Sequence, residues 1–129
     1  MSCTETQDMD YKQKRARQLF SKMRFLSCQF LAYLEDDLWL KNAAHANNMA
    51  QNLAKIFAKH NLQLEYSVEA NELFARIPTQ LAEYLHKNNG NFYQWEAPND
   101  LGYGLYRFVT SFATTQKDLD ILDSCLLRS

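Results

Sequence analysis

The stretch LQLEYSVEANELFARIP, residues 62–78, determines the predicted fold because apolar and polar side chains alternate along most of it. An alternation of period two is typical of strands with one buried face. Residues 62–68 and 72–77 are therefore predicted to form two strands, separated by a short turn at 69–71. Pro78 ends the second strand and suits the first turn of a helix.

The remaining elements are predicted on either side of this stretch. Downstream, the patterns predict a helix over 79–87, a strand over 91–96, a loop over 97–104, a strand over 105–112 and a helix that Thr114 or Thr115 caps and that ends at Leu127. Upstream, they predict one helix over 10–37, which holds neither Gly nor Pro, and a second helix over 40–59. The apolar faces of these two helices are Leu19, Met23, Leu26, Phe30 and Tyr33 in the first and Ala43, Ala46, Asn47, Ala50, Leu53, Ala54 and Phe57 in the second.

This element order predicts the fold class. Two helices followed by a β-β-α-β-β-α order are typical of an α+β fold, with a small, mostly antiparallel sheet and helices on one face. The polar residues 1–9 are predicted to form a disordered tail, and residues 10–129 a single domain.

Composition excludes several classes of protein. The 129 residues are 47% apolar and 22% charged, as in a globular domain, and they include only 3 Gly and 2 Pro. Long regular elements are expected, and almost no glycine is present for a loop that cradles phosphate. The net charge of −1 gives no overall field for nucleic acid or an anionic membrane.

The cysteines and the N-terminal residues indicate the cellular location of the protein. Cys3, Cys28 and Cys125 lie far apart and form no zinc-ligand spacing, so reduced thiols in a cytoplasmic protein are expected. The acidic start MSCTETQDMD does not resemble a signal peptide, and no apolar run is long enough to span a membrane.

Two groups of polar residues allow more than one interpretation. Six bases within thirteen residues form either a solvated helix face, a site for a single phosphate group or, least in keeping with the net charge, a nucleic-acid surface. They are Lys12, Lys14, Arg15, Arg17, Lys22 and Arg24. The three histidines lack an acid or cysteine at catalytic spacing and are predicted to be surface or boundary residues; they are His45, His60 and His86.

Arg107 interrupts an otherwise apolar strand and is the main candidate for a binding residue. The alternation places it on the same face as Leu105 and Val109. A guanidinium directed toward an interior or a cleft needs an anion or several acceptors. The alternative is an exposed arginine on the solvated face of the sheet.

Five collinear blocks resemble the C-terminal part of the low-specificity threonine aldolases, a β-eliminating lyase family of pyridoxal-phosphate enzymes. Together they span about residues 10–127, in the order and at the spacing of that family. The blocks are Ser21–Leu26, Ala32–Leu40, His45–Asn47 with Met49–Ala50, Val68–Glu72 and Arg107–Phe112.

The resemblance implies the small domain of a fold-type-I enzyme. Such enzymes cleave threonine and related β-hydroxy-α-amino acids to glycine and an aldehyde, with the cofactor as an electron sink. By resemblance, Arg107 matches the arginine that binds the α-carboxylate of the substrate. Arg24 matches an arginine near the cofactor phosphate that reaches in from a neighbouring subunit.

The chain also departs from the family pattern. The family's large domain supplies the lysine that holds the cofactor covalently, the aromatic residue stacked on its ring and the aspartate at its nitrogen, and no residue here matches them. Lys22 belongs to the Ser-Lys-Met-Arg block and not to the family's lysine motif, and Arg17 stands where relatives usually have a small residue. The chain is therefore expected to be a truncated or separately encoded small domain that is inactive alone and does not hold pyridoxal phosphate covalently.

Three functions remain open from the sequence. The first is a lyase fragment that works with a missing large-domain chain. The second is a non-catalytic interaction or remnant domain. The third, more distant, is a phosphate or nucleic-acid binder that uses the basic first helix. A homo-oligomer is expected, with the apolar stripe of the first helix as the contact, whereas nucleic-acid and membrane partners are not.

Overall fold

The computed structural model of the chain describes residues 8–17 and 20–128. It divides into two compact units, residues 1–37 and 38–129. The single domain expected over 10–129 stays a prediction. Most of the expected tail, residues 1–7, lies outside the described residues, as does Leu19 of the predicted stripe.

The first unit contains two short helices, α1 (Met9–Arg15) and α2 (Met23–Leu34), where the sequence predicted one helix over 10–37. That prediction of an uninterrupted helix is wrong. Near the end of α1, Arg17 adopts a left-handed conformation, with φ at 56°. Neither helix buries a residue. Isolated helices of this length are marginal in water.

Three consecutive acidic residues end the first unit. Glu35–Asp37 form a 3-10 turn after α2, in which Asp36 and Asp37 have φ values of 50° and 57°. Aspartate tolerates the left-handed region better than most residues because its short side chain bonds locally to the backbone. Both residues therefore adopt this conformation without glycine.

The second unit is an antiparallel sheet with three helices. Its elements are α3 (Leu38–Lys59), β1 (Gln63–Leu64), β2 (Glu72–Pro78), α4 (Thr79–Lys87), β3 (Tyr93–Glu96), β4 (Tyr103–Val109) and α5 (Gln116–Leu126). The strand order is β1-β2-β4-β3, and all three pairings are antiparallel. The predicted α+β class and the β-β-α-β-β-α order are confirmed.

The strand bounds differ from the predictions, most of all in β1 and β4. The strand β2 is one residue longer than predicted, β3 begins at Tyr93 instead of Asn91, and β4 begins at Tyr103 instead of Leu105. The strand β1 has two residues instead of seven. Further along the predicted strand, Gln51 on α3 donates a hydrogen bond to the carbonyl of Val68 at 2.6 Å. The strand β4 ends at Val109 rather than at Phe112. There the Ser111 N–H bonds to the Thr114 hydroxyl at 2.9 Å, and the chain turns toward α5.

The three helices cover one face of the sheet, which we call the covered face. Alternate residues of β2 and β4 pack there against α3, α4 and α5. Phe57 of α3 is fully buried, and its ring meets that of Phe108 edge to face, with centroids 5.0 Å apart. Phe92 stacks on the other side of Phe108, at 4.5 Å. The opposite side of the sheet is the open face.

Hydrogen bonds fix the ends of the elements. The buried Thr110 hydroxyl donates to the carbonyl of Ala46 at 2.8 Å and so joins the end of β4 to α3. Thr115, one of the two predicted caps, begins α5 in a capping box with Asp118. Within the described residues, no helix is long and apolar enough to cross a membrane.

Candidate functional site

Arg107 lies at the centre of the open face. It belongs to β4, an inner strand of the sheet, and its backbone is paired with Phe74 on β2 and Tyr93 on β3. Residues that are directly opposite in an antiparallel pair project from the same face. Strand pairing therefore surrounds Arg107 with aromatic residues from both neighbouring strands.

One carboxylate and one indole ring contact the Arg107 guanidinium. Its Nε donates a hydrogen bond of 2.6 Å to Glu72, and its Cζ lies 6.0 Å from the ring centre of Trp95. The side chain remains 35% exposed. Within residues 8–17 and 20–128, no hydrogen bond engages its two terminal nitrogens. A guanidinium held through Nε can present those nitrogens side by side to a planar anion.

A bulge in β3 places Trp95 beside this arginine. Gln94 pairs with Tyr106 and Glu96 with Leu105, so Trp95 is the extra residue between them. Bulges often re-aim side chains near functional sites. The ring of Trp95 packs edge to face on Phe74, with centroids 5.3 Å apart.

Arg76 lies on the same open face but is held differently. Its guanidinium contacts Glu65 at 3.1 Å and Glu96 at 3.6 Å. The hydrogen bond that Arg76 donates to Glu65 is the main cause that raises the pKa of Arg76 above its ordinary value. Because two carboxylates already neutralise Arg76, the cation with binding capacity left on this face is Arg107.

An aromatic row borders the cation. Tyr66 packs edge to face on Phe74 with centroids 5.6 Å apart, and Phe74 packs in turn on Trp95. More than half of the surface of Tyr66 and of Trp95 is exposed. The open face therefore combines a partly paired guanidinium with solvent-exposed apolar surface, which suits an anionic group attached to an apolar body.

Arg24 lies in the first unit, in the first turn of α2, and is exposed. It lines a recess of about 630 Å³ together with Lys22, Phe25 and Cys28. Two cations at a helix N-terminus, where the helix dipole is positive, favour an anion such as phosphate.

The histidines have structural contacts, as the sequence reading expected for surface or boundary positions. His45 bonds to the carbonyl of Thr114 at 2.7 Å, and His86 bonds to the carbonyl of Gly90 at 2.9 Å. His60 bonds to Asp123 at 2.6 Å. Among the residues that the structure describes, no group of three or more His, Cys, Asp or Glu side chains is arranged to hold a metal ion.

Sequence reasoning missed three members of the open face: Glu72, Arg76 and Trp95. Glu72 lies in one of the five resembling blocks, but its contact with Arg107 depends on the register between β2 and β4. The alternation of β2 could have indicated that Arg76 projects away from the core. The bulge that brings in Trp95 has no signal in the sequence.

Comparison with solved structures identifies a protein of similar fold. The chain is similar to a threonine aldolase from Leishmania major, with a TM-score of 0.71 and 28% identity, over 78% of this chain and 29% of that one. Its fold matches a small domain of that enzyme. No family model matches the chain.

Sequence comparison identifies more particular relatives. The low-specificity L-threonine aldolase of a Pseudomonas species is 40% identical over 111 residues, which are 85% of this chain and 31% of that protein. The protein of that name from Pseudomonas aeruginosa is 38% identical over 109 residues, 84% of this chain and 30% of that protein. The chain is thus homologous to part of the low-specificity threonine aldolases, and it spans about 30% of the length of these relatives. The resemblance inferred from the five blocks is confirmed.

Proposed function

We propose that this chain is the small domain of a pyridoxal-phosphate-dependent threonine aldolase and is inactive without a large domain. The observation that carries the proposal is Arg107, which lies on the open face of the sheet with two terminal nitrogens unpaired among the described residues. Homology to threonine aldolases over most of the chain supports it.

Arg107 is proposed to bind the α-carboxylate of threonine or a related β-hydroxy-α-amino acid. Its two terminal nitrogens match the two oxygens of a carboxylate, and this bidentate pairing fixes the orientation of the substrate. Glu72 positions the guanidinium through Nε, while Trp95 borders it. Cleavage of the substrate to glycine and an aldehyde then takes place in the complete site.

Arg24 is proposed to contact the cofactor phosphate from a neighbouring subunit. The recess that it shares with Lys22 fits the charge of a phosphate. Pyridoxal phosphate, when bound, supplies an electron sink for the cleavage. No residue of this chain is assigned to hold the cofactor covalently, so this chain is proposed to contribute only the phosphate contact and the carboxylate contact.

The proposed partners follow from this division of roles. A large domain is required, supplied either by further sequence of the same polypeptide or by another chain. A homo-oligomer is also proposed because α2 exposes large apolar side chains. A cytoplasmic location and the absence of nucleic-acid partners stay predictions from the composition.

The first experiment uses the 129-residue chain alone. We expect no threonine cleavage, and no change in the absorbance of added pyridoxal phosphate that survives dialysis. A control mixture with a full-length Pseudomonas threonine aldolase must cleave threonine under the same conditions. Turnover by the chain alone would contradict the proposed dependence on a large domain.

The second experiment tests Arg107 in a complete site. This chain replaces the matching 111-residue segment of the Pseudomonas enzyme, and cleavage is measured in the hybrid. Arg107→Gln is expected to lower kcat/KM about 100-fold, because it removes charge-assisted hydrogen bonds together worth about 3 kcal/mol. The matched control is Arg76→Gln, which alters an arginine on the same face that two carboxylates already pair.

The outcomes of the hybrid experiment separate the functions that the sequence left open. A hybrid that folds and is active, but is equally active with Arg107→Gln and Arg76→Gln, would refute the role of Arg107. A folded hybrid with no activity at all would favour the non-catalytic interaction or remnant domain.

A further inference from the structure

A cavity opens on the covered face between α5 and the segment that follows α4. Its volume is about 440 Å³, which lies within the range of protein pockets that hold small molecules. Phe108 lines it, and Arg107 is the neighbour of Phe108 in β4, so the two side chains project from opposite faces of the sheet. The cavity is therefore separate from the proposed carboxylate contact.

The floor of the cavity is apolar. Phe92 and Phe108 lie against each other there, with ring centroids 4.5 Å apart and 24° between the ring planes. Leu53, Leu85 and Leu119 lie around these rings, and all five side chains are buried. A floor of aromatic and aliphatic groups favours a flat apolar ligand, which gains dispersion contacts and leaves water.

Asparagine side chains are among the exposed residues that line the cavity. Asn88 donates a hydrogen bond to the carbonyl of Tyr84 at 2.8 Å. In the part of the chain that the structure describes, the side-chain amides of Asn89 and Asn91 form no hydrogen bond. Each of these amides offers both donors and an acceptor, so together they can orient a polar group on a bound molecule.

The charge of the lining selects against anions. Among the described residues that line the cavity, Asp118 is the only one with a charged side chain. The Thr115 hydroxyl donates a hydrogen bond of 2.7 Å to the Asp118 carboxylate, and this bond is the main cause that holds the pKa of Asp118 below its ordinary value. Asp118 is therefore ionised at neutral pH. A phosphate or carboxylate in the cavity meets this like charge and no cation.

We propose that this cavity binds a small, neutral aromatic molecule that carries a hydrogen-bonding group. Its ring packs on Phe92 and Phe108, and its polar group bonds to the amides of Asn89 and Asn91. An apolar cavity of about 150 Å³ is enough for benzene, so a volume of about 440 Å³ accommodates one or two rings. The inference goes beyond the proposed function, because none of these residues is assigned a role in threonine cleavage.

Protection of Cys125 from alkylation measures binding in the full 129-residue chain, with indole as the probe. Cys125 lines the cavity and is half-buried, whereas Cys28 is exposed and lies in the first unit. We expect a Kd for indole on the order of 0.1–1 mM. At about ten times the Kd, alkylation of Cys125 by iodoacetamide should slow about 10-fold. Cys28 should keep its rate and serves as the internal control.

A matched pair of probes tests the charge of the site. Indole-3-carboxamide and indole-3-carboxylate have nearly the same shape, but only the second is an anion. Because Asp118 repels it, the carboxylate is expected to have a Kd at least about 10-fold higher than that of the carboxamide. N-acetyltryptophanamide presents the same ring as part of a peptide and is expected to bind no more tightly than indole.

Leu122→Phe tests the position of the site. Leu122 of α5 lines the cavity and is half-buried, so the larger ring occupies space that the ligand needs. We expect the Kd for indole to rise at least about 10-fold. The matched control, Leu127→Phe, makes the same change at an exposed residue outside the cavity and should leave the Kd within about 3-fold.

Asn91→Leu provides a variant that does not alter the core. Asn91 is exposed, so the fold is expected to stay intact, and circular dichroism checks the helix content of every variant. Loss of one amide hydrogen bond should raise the Kd for indole about 5-fold. This variant tests the site even if Leu122→Phe does not fold.

Four results would overturn the proposal. They are no protection of Cys125 at about 10 mM indole, equal protection of Cys28 and Cys125, equal binding of the carboxamide and the carboxylate, and unchanged binding by Leu122→Phe or Asn91→Leu in a folded chain. Tighter binding of N-acetyltryptophanamide than of indole would also overturn it and assign the cavity to a protein segment. No measurement concerns threonine cleavage, so this proposal and the proposed function fail independently.

Discussion

The two faces of the sheet in the second unit have different chemistry on the same strands. On the covered face, Leu73, Ala75 and Ile77 of β2 are 1% exposed or less and pack on helices. On the open face, the alternate residues of that strand are Glu72, Phe74 and Arg76, all partly exposed. Strand alternation thus separates a packing surface from a surface with charge and aromatic rings.

This difference separates the residues that stabilise the fold from those available for binding. Covered-face residues lose contacts and leave cavities when they are truncated. Open-face ion pairs are about one-third exposed, so water screens them and replaces them at little cost. Substitutions on the two faces should therefore differ in their effect on the free energy of unfolding.

The largest effect is expected for Phe57→Ala. Phe57 is fully buried and packs on Phe108, so truncation should lower the free energy of unfolding by about 3–5 kcal/mol. The matched control is Phe112→Ala, at a position that is 69% exposed, with an expected change below about 0.5 kcal/mol. Urea denaturation of both variants measures the difference. Similar losses at the two positions would show that burial in the covered face does not determine stability.

A smaller effect is expected at the buried hydroxyl that joins the covered face to α3. Thr110→Val keeps the shape of the side chain but removes the hydrogen bond to the carbonyl of Ala46, at a cost of about 1–3 kcal/mol. Thr110→Ser keeps the hydroxyl and loses one methyl group, at a cost of about 1 kcal/mol. Chemical denaturation should show that Thr110→Val has a lower free energy of unfolding than Thr110→Ser. The reverse order would assign the role of Thr110 to packing alone.

Arg107→Gln on the open face is expected to change stability by less than about 1 kcal/mol. The Glu72–Arg107 pair is 36% and 35% exposed, and pairs of this kind contribute little to folding. The same substitution should strongly reduce cleavage in the hybrid enzyme described above. A stability loss comparable to that of Phe57→Ala would mean that Arg107 holds the sheet together. It would contradict the view that only the covered face stabilises the fold.

Sequence periodicity predicted the elements that have their own local signals. The helix α4 matches its predicted range, and α3 begins two residues earlier than predicted. Apolar spacing marks both helices, and Pro78 marks the start of α4. The break between α1 and α2 has no such mark, since no Gly or Pro lies there. The periodicity of one segment therefore did not predict it.

The candidate site was predictable only in part. Arg107 was identified as a charge in an apolar strand, and the resemblance to threonine aldolases gave it a role. Its contacts with Glu72 and Trp95 arise from strand register and from a bulge. Register depends on which residues of distant strands pair, and no spacing within one segment contains that information.

The smallest effect is expected at the edge of the covered face, where Asp123 of α5 contacts Lys59, the last residue of α3, and His60, which follows it. A hydrogen bond from Lys59, which has the larger effect, and one from His60 hold the pKa of Asp123 below its ordinary value of 3.8. A carboxyl with a lowered folded-state pKa stabilises the fold above its unfolded pKa, and this contribution disappears as the pH falls through the folded value. The free energy of unfolding of the unchanged chain should therefore exceed that of Asp123→Asn at pH 7, and this difference should shrink below about pH 4.

The control is Asp120→Asn on the same helix, because Asp120 does not contact Lys59 or His60. Urea denaturation from pH 7 to pH 3 measures how far the free energy of unfolding of each variant differs from that of the unchanged chain. A difference for Asp123→Asn that does not change with pH would show that charge at this position does not hold α5 against α3.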